Sequence, residues 1–142
     1  MKSLITLLLS FASTLLFAQK HYERLASIDI QHYMFELQLN DQNDRINGIA
    51  HVTVRLLKDL DQFTLDLINE SGGKGMKVNA VMSDSQPVKF SHQNDQLVIN
   101  TSAKSGELKT FLIAYEGIPQ TGLIISKNKN KFKIFLLVIK KE

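Results

Sequence analysis

The four histidines, His21, His32, His51 and His92, are the strongest metal ligands in a chain that has no cysteine. A zinc hydrolase needs two histidines one helical turn apart, a glutamate acting on the metal-bound water, and a further ligand downstream. Here no histidine is followed by glutamate, and no two of them lie four positions apart. His51 stands opposite Val52 in an alternating stretch, beside Thr53 and Arg55, which suits a solvated or cross-strand histidine. The carboxylates cluster at polar breaks: Asp41 and Asp44, Asp59 and Asp61, Asp84, Asp95. A pair such as Asp59 and Asp61 has the composition for acid–base work or calcium binding. Turn aspartates more commonly bond their own backbone. The nearest approach to a calcium loop, Asp41-Gln42-Asn43-Asp44, lacks the glycine and the bidentate glutamate that such a loop requires. Ser71-Gly72-Gly73-Lys74-Gly75 has the flavour of a phosphate cradle. That chemistry needs a Ser or Thr after the lysine and a helix N-terminus facing the anion. Gly75 follows Lys74, so the segment reads as a flexible connection. No residue is assigned a catalytic, cofactor-binding or metal-ligating role.

The elements that would have to position any such group are strands. From Ile28 onward, apolar and polar residues alternate with period two. Tyr33, Phe35, Leu37 and Leu39 share one face of a first strand, with Met34, Glu36 and Gln38 on the other. The polar cluster 40–44 predicts a hairpin into a second strand, on which Ile46, Gly48, Ala50, Val52, Val54 and Leu56 share a face. Small residues at Gly48 and Ala50 predict that something bulky packs closely there. Phe63, Leu65 and Leu67 mark a third strand, and Val78, Ala80 and Met82 the shared face of a fourth. Pro87 to Ser91, Leu97 to Ile99 and Leu108 to Tyr115 complete the set. Pro87 suits a strand start or a sheet edge. No window outside residues 1–18 has helical periodicity. Short strands separated by polar turns predict an all-β fold, an antiparallel β-sandwich or a saddle-like pair of sheets.

The N-terminus speaks to compartment. Lys2, the apolar run Leu4–Leu16 and the small residue Ala18 follow the pattern of a secretory signal peptide, too short for a comfortable membrane span. The expected organisation is a signal peptide at 1–18, a lead-in at 19–27, a β-domain at 28–126 and a tail at 127–142, with export to the periplasm or the exterior. At 142 residues the chain is long enough for one domain with a real core. The formal charge of +3 is unevenly placed. Lysines 127, 129, 131, 133, 140 and 141, opposed there by Glu142 alone, give the tail +5 and leave −2 for residues 1–126. A basic balance made by one tail does not describe a nucleic-acid-binding face, and no nucleic-acid partner is expected.

Four segments carry a resemblance: His32 to Leu39, Arg45 to Val54, Phe63 to Leu67, and Phe111 to Pro119. A glycine sits early in the second, and Tyr115-Glu116-Gly117 closes the last. In that order they resemble the N-terminal β-domain of M1-family, aminopeptidase N-like zinc metallopeptidases. The resemblance implies a domain that packs on a catalytic domain and walls one side of a peptide channel. It implies zinc and peptide substrate only in a full-length relative, where N-terminal residues are removed by a zinc-activated water. The family's Gly-x-Met-Glu-Asn strand and its zinc-binding helix have no counterpart here, so this chain is expected to be inactive and to hold no cofactor. The alternative is an autonomous exported β-sandwich that binds a peptide, a glycan or a protein.

The tail changes character after Ser126. Phe132 to Ile139 fits a buried terminal strand. The lysine- and asparagine-rich stretch before it also fits a premature stop or an out-of-frame translation, and the sequence leaves both open. With the partner domain missing, Ile49, Leu57 and the 132–139 segment are expected to leave apolar surface in water.

Overall fold

The computed structural model describes residues 27–40, 43–121 and 134–141. The expected signal peptide, nearly all of the lead-in, Asp41 and the tail up to residue 133 lie outside the described residues. Among those described the chain is all-β, with no helix. The strands are β1 (Ile28–Asn40), β2 (Ile46–Leu56), β3 (Leu60–Asp66), β4 (Gly75–Ser83), β5 (Gln86–Pro87), β6 (Phe90–Gln93), β7 (Gln96–Ala103), β8 (Leu108–Ile118) and β9 (Ile134–Lys141). They form a six-stranded sheet, ordered β5-β4-β8-β2-β1-β9, and a three-stranded sheet, β3-β7-β6. All the strand pairings are antiparallel. The sandwich expected from the alternation is present.

The inward face of β2 is buried at Ile46, Ala50, Val52, Val54 and Leu56, as its period-two pattern requires. Ala50, Val52, Val54 and Leu56 join Phe111 and Ile113 from β8 and Phe63, Leu97 and Ile99 from the smaller sheet in one continuous core. The rings of Phe63 on β3 and Phe111 on β8 meet edge to face, 5.0 Å between centroids, and so join the two sheets. That geometry matches the preference of aromatic quadrupoles.

Two hairpins turn on left-handed residues. Asp84 and Ser85 have φ of 51° and 62°, and Asn94 and Asp95 have 53° and 60°. Two consecutive positive φ values define the type I′ turn, whose twist matches that of the strands it joins. Ser71 to Lys74 is also a tight turn rather than a flexible loop. The Ser71 N–H donates to the Lys74 carbonyl at 2.7 Å, and the Lys74 N–H donates back at 3.1 Å. Gly72 and Gly73 supply its positive φ values.

Two expectations need correcting. Val78, Ala80 and Met82 do not share a face, because the β4–β8 register shifts between Val78 and Ala80. The irregularity adds one residue, so Val78 and Val81 enter the core while Ala80 and Met82 are only partly buried. Pro87 to Ser91 is not one strand either. Gln86–Pro87 pairs with β4 in the larger sheet, and Phe90 begins a strand of the smaller one. The chain changes sheets between them, with the Val88 N–H donating to the Val81 carbonyl at 2.8 Å. Pro87 does lie at a sheet edge, as expected.

Asp59 is a structural aspartate that ties two turns together. Its carboxylate accepts from the Ser105 N–H at 2.9 Å and from the Lys104 ammonium at 2.9 Å. The Ser105 N–H, and then Lys104, hold the carboxyl below the usual aspartate range. A depressed folded value means that the contribution is complete above the unfolded pKa and is lost as pH falls through the folded one. In an NMR titration Asp59 is expected to protonate at lower pH than an ordinary aspartate. Lys104→Met should reduce that depression without abolishing it, because the Ser105 N–H, its first cause, remains.

Candidate functional site

The three-stranded sheet does not cover the whole inner face of the six-stranded one. Beyond its edge, β1 presents Ile30, Tyr33, Phe35 and Leu37, and β8 presents Tyr115, to a cleft of about 650 Å³. Leu65, Leu67 and Leu97 close the opposite side, and Pro119 and Thr121 stand where the chain leaves β8. Tyr33 and Phe35 are two apart on one strand face, and their rings stack nearly parallel, 5.6 Å between centroids. Gly48 makes room for Tyr115, its register partner on β8. A Cβ at position 48 would fall 2.7 Å from both Cε2 and Oη of Tyr115. The bulky neighbour predicted from Gly48 and Ala50 is this tyrosine.

Chemically the described lining of the cleft is mostly apolar. Among the described residues, Asp66 is the cleft's one ionisable lining residue besides the two tyrosines, and no histidine, lysine or arginine lines it. Burial pushes the phenols of Tyr33 and Tyr115 above their ordinary range, so both stay protonated at neutral pH and serve as hydrogen-bond donors. Within that described lining a single carboxylate has no second acid or base beside it to make an acid–base pair. Apolar side chains with a few polar groups at the margin suit an apolar or aromatic ligand, or another protein surface.

The residues weighed for chemistry are dispersed. His51 lies on the outer face of β2, and its Nε2 meets Oε1 of Glu36 on β1 at 3.1 Å, the cross-strand role expected of it. His92 Nε2 bonds the Leu67 carbonyl at 2.8 Å in the smaller sheet. Asn43 caps its own turn, its side-chain oxygen accepting from the Arg45 N–H at 3.0 Å. Lys74 closes a turn that leads into β4 rather than a helix. Among the described residues no three His, Asp or Glu side chains converge on a point where a metal could sit. The zinc implied by the resemblance therefore has no fitting site in them.

Of the expected outer patch, only Ile49 and Leu57 have described side chains, and those of 132–139 lie outside the described residues. Ile49 and Leu57 are 40% and 50% exposed. They are eight positions apart along β2 and its extension, about 26 Å at 3.3 Å per residue, and do not adjoin. Among the described residues the larger apolar surface is the inner cleft, which sequence reasoning missed. Tyr33, Phe35 and Leu37 were legible as an inward face, but periodicity does not say how much of a face the opposite sheet covers.

No protein-family model matches the chain, and no curated protein matches it. Solved structures do. An M1 zinc metallopeptidase from Deinococcus radiodurans superposes with a TM-score of 0.56 at 22% identity, over 66% of this chain and 21% of that one. A mutant of that enzyme with a bound Tyr-Ser-Ala substrate gives 0.57 at 21% identity, over 68% and 22%. A two-domain M1 zinc metallopeptidase mutant bound to L-tryptophan gives 0.52 at 26% identity, over 66% and 21%. This chain thus spans about a fifth of the length of the structures it matches. Its β-sandwich has the fold of a portion of the M1 zinc metallopeptidases.

Proposed function

We propose that residues 28–126 form the non-catalytic N-terminal β-domain of an M1-type aminopeptidase architecture, carried on an exported chain. The observation that supports this most is the match of two thirds of the chain to one fifth of an M1 enzyme. The ordered strand pattern, ending in Tyr115-Glu116-Gly117, points the same way. In this reading the domain supplies a rigid β surface for a catalytic domain and contributes no reacting group. Zinc and the peptide substrate belong to that other domain.

The DNA beyond the Glu142 codon tests the reading. An encoded His-Glu-x-x-His helix in any frame supports it, and a peptidase-free neighbourhood counts against it. The purified chain is expected to release no product from an aminoacyl-anilide, with or without added zinc. Chelator-sensitive hydrolysis by the pure chain would overturn the assignment. The open cleft, with Tyr33 and Tyr115 as donors in an apolar wall, also favours a second reading. In that one the domain is an autonomous exported module for peptide, glycan or protein, since one fold hosts many functions.

A further inference from the structure

Sheet edges carry unpaired N–H and C=O groups that invite another strand, and proteins blunt them with short strands, proline, charge or bulges. Among the described residues, three of the four sheet edges follow that rule. β5 is two residues long and contains Pro87. β6 is four residues long. β3 carries Asp61 and has a register irregularity between Leu60 and Gln62. The fourth edge, β9, does not. Its eight residues run Ile-Phe-Leu-Leu-Val-Ile-Lys-Lys, with no proline and no glycine. One side of it pairs with β1 in unbroken register from Asn40↔Ile134 to Tyr33↔Lys141. Its other side has no partner strand among the described residues. A long apolar edge strand without such blunting is a template for pairing with another chain.

We infer that the free edge of β9 pairs antiparallel with β9 of a second copy of this chain, joining two six-stranded sheets across a two-fold axis. An antiparallel pair of identical strands is self-complementary, which is what a two-fold interface demands. A two-fold perpendicular to the sheet sets each residue opposite one of the same facing parity, so the axis passes through a residue position. Centring it on Lys140 or Lys141 would set a lysine opposite its own copy, two like charges. Centring it on Val138 sets Lys140 opposite Leu136 and Lys141 opposite Phe135, and no lysine faces a lysine. Of the registers that set both lysines opposite apolar residues of β9, the one centred on Val138 pairs the most residues, the seven of 135–141. The blunted β5 edge at the far side of each sheet stops growth at two copies.

The absence of native cysteine makes the test direct. In the Val138 register the two copies of position 138 are directly opposite, with Cα atoms about 4.5–5.5 Å apart, within the span a disulfide bridges. The two copies of position 134 are then eight residues apart along the strands, about 26 Å. The unmodified chain is expected to sediment as a closed dimer. On mild oxidation Val138→Cys should give a disulfide-linked dimer and Ile134→Cys should not. A chain that sediments as a monomer at every concentration would overturn the inference, as would open-ended growth beyond two copies. Equal cross-linking at both positions, or none at Val138→Cys, would overturn the register.

Discussion

Phe111→Ala is expected to remove about 3–5 kcal/mol of stability, the range for deleting a buried aromatic ring. Phe111 is 1% exposed and lies on β8, a central strand of the larger sheet. Its ring carries the edge-to-face contact with Phe63, so the substitution loses burial, leaves a cavity and breaks the contact between sheets together. A domain of this size has about 5–15 kcal/mol in total, so much of the variant population should be unfolded or close to it. Urea unfolding followed by circular dichroism is expected to show a large drop in midpoint with an unchanged slope. Phe111→Leu keeps most of the volume and should lose much less. Equal losses for the two would show that Phe111 is not the bolt between the sheets.

Gly48→Val is expected to cost about 1–3 kcal/mol, the usual penalty for forcing atoms into a packed site. The glycine is not there for backbone freedom, since its φ is not positive. It is there because the Tyr115 ring occupies the space where a side chain would begin. The sign should therefore depend on Tyr115. In a Tyr115→Ala background, Gly48→Ala should be neutral or mildly stabilising, because glycine weakens a strand that has no need of it. The four-variant cycle measures this as a coupling energy between neighbours. Additive effects of the two changes would show that the close approach is unimportant.

How much of this was legible in advance depends on what each residue pattern encodes. The alternation of Tyr33-Met34-Phe35-Glu36 and of Ala50-His51-Val52-Thr53 fixes the face of each side chain, and both strands formed as read. Gly48 was informative because one missing side chain amid large ones has few explanations. The reading failed where one residue changes the phase. The extra residue at Asn79 puts Val78 and Val81 inward, a pattern that strict period two cannot produce. The run after Pro87 likewise crosses between sheets, and composition carries no signal for which sheet a short strand joins. The cleft was illegible because it is defined by what the smaller sheet leaves bare. The His51–Glu36 contact was anticipated only as a type, since the β1–β2 register that brings the two side chains together is set by the hairpin.

The sheet order also imposes a schedule on synthesis. β2 follows β1 after a short turn, so their hairpin can form as soon as both have left the ribosome. The other neighbour of β1 is β9, and more than ninety residues separate Asn40 from its partner Ile134. At about 5–20 residues per second, that gap is roughly five to twenty seconds. For that interval the outer edge of β1 is a strand without a neighbour on every nascent chain. Adjacent chains on one polysome would carry that edge at the same time, and the crowding of translation decides how often they meet.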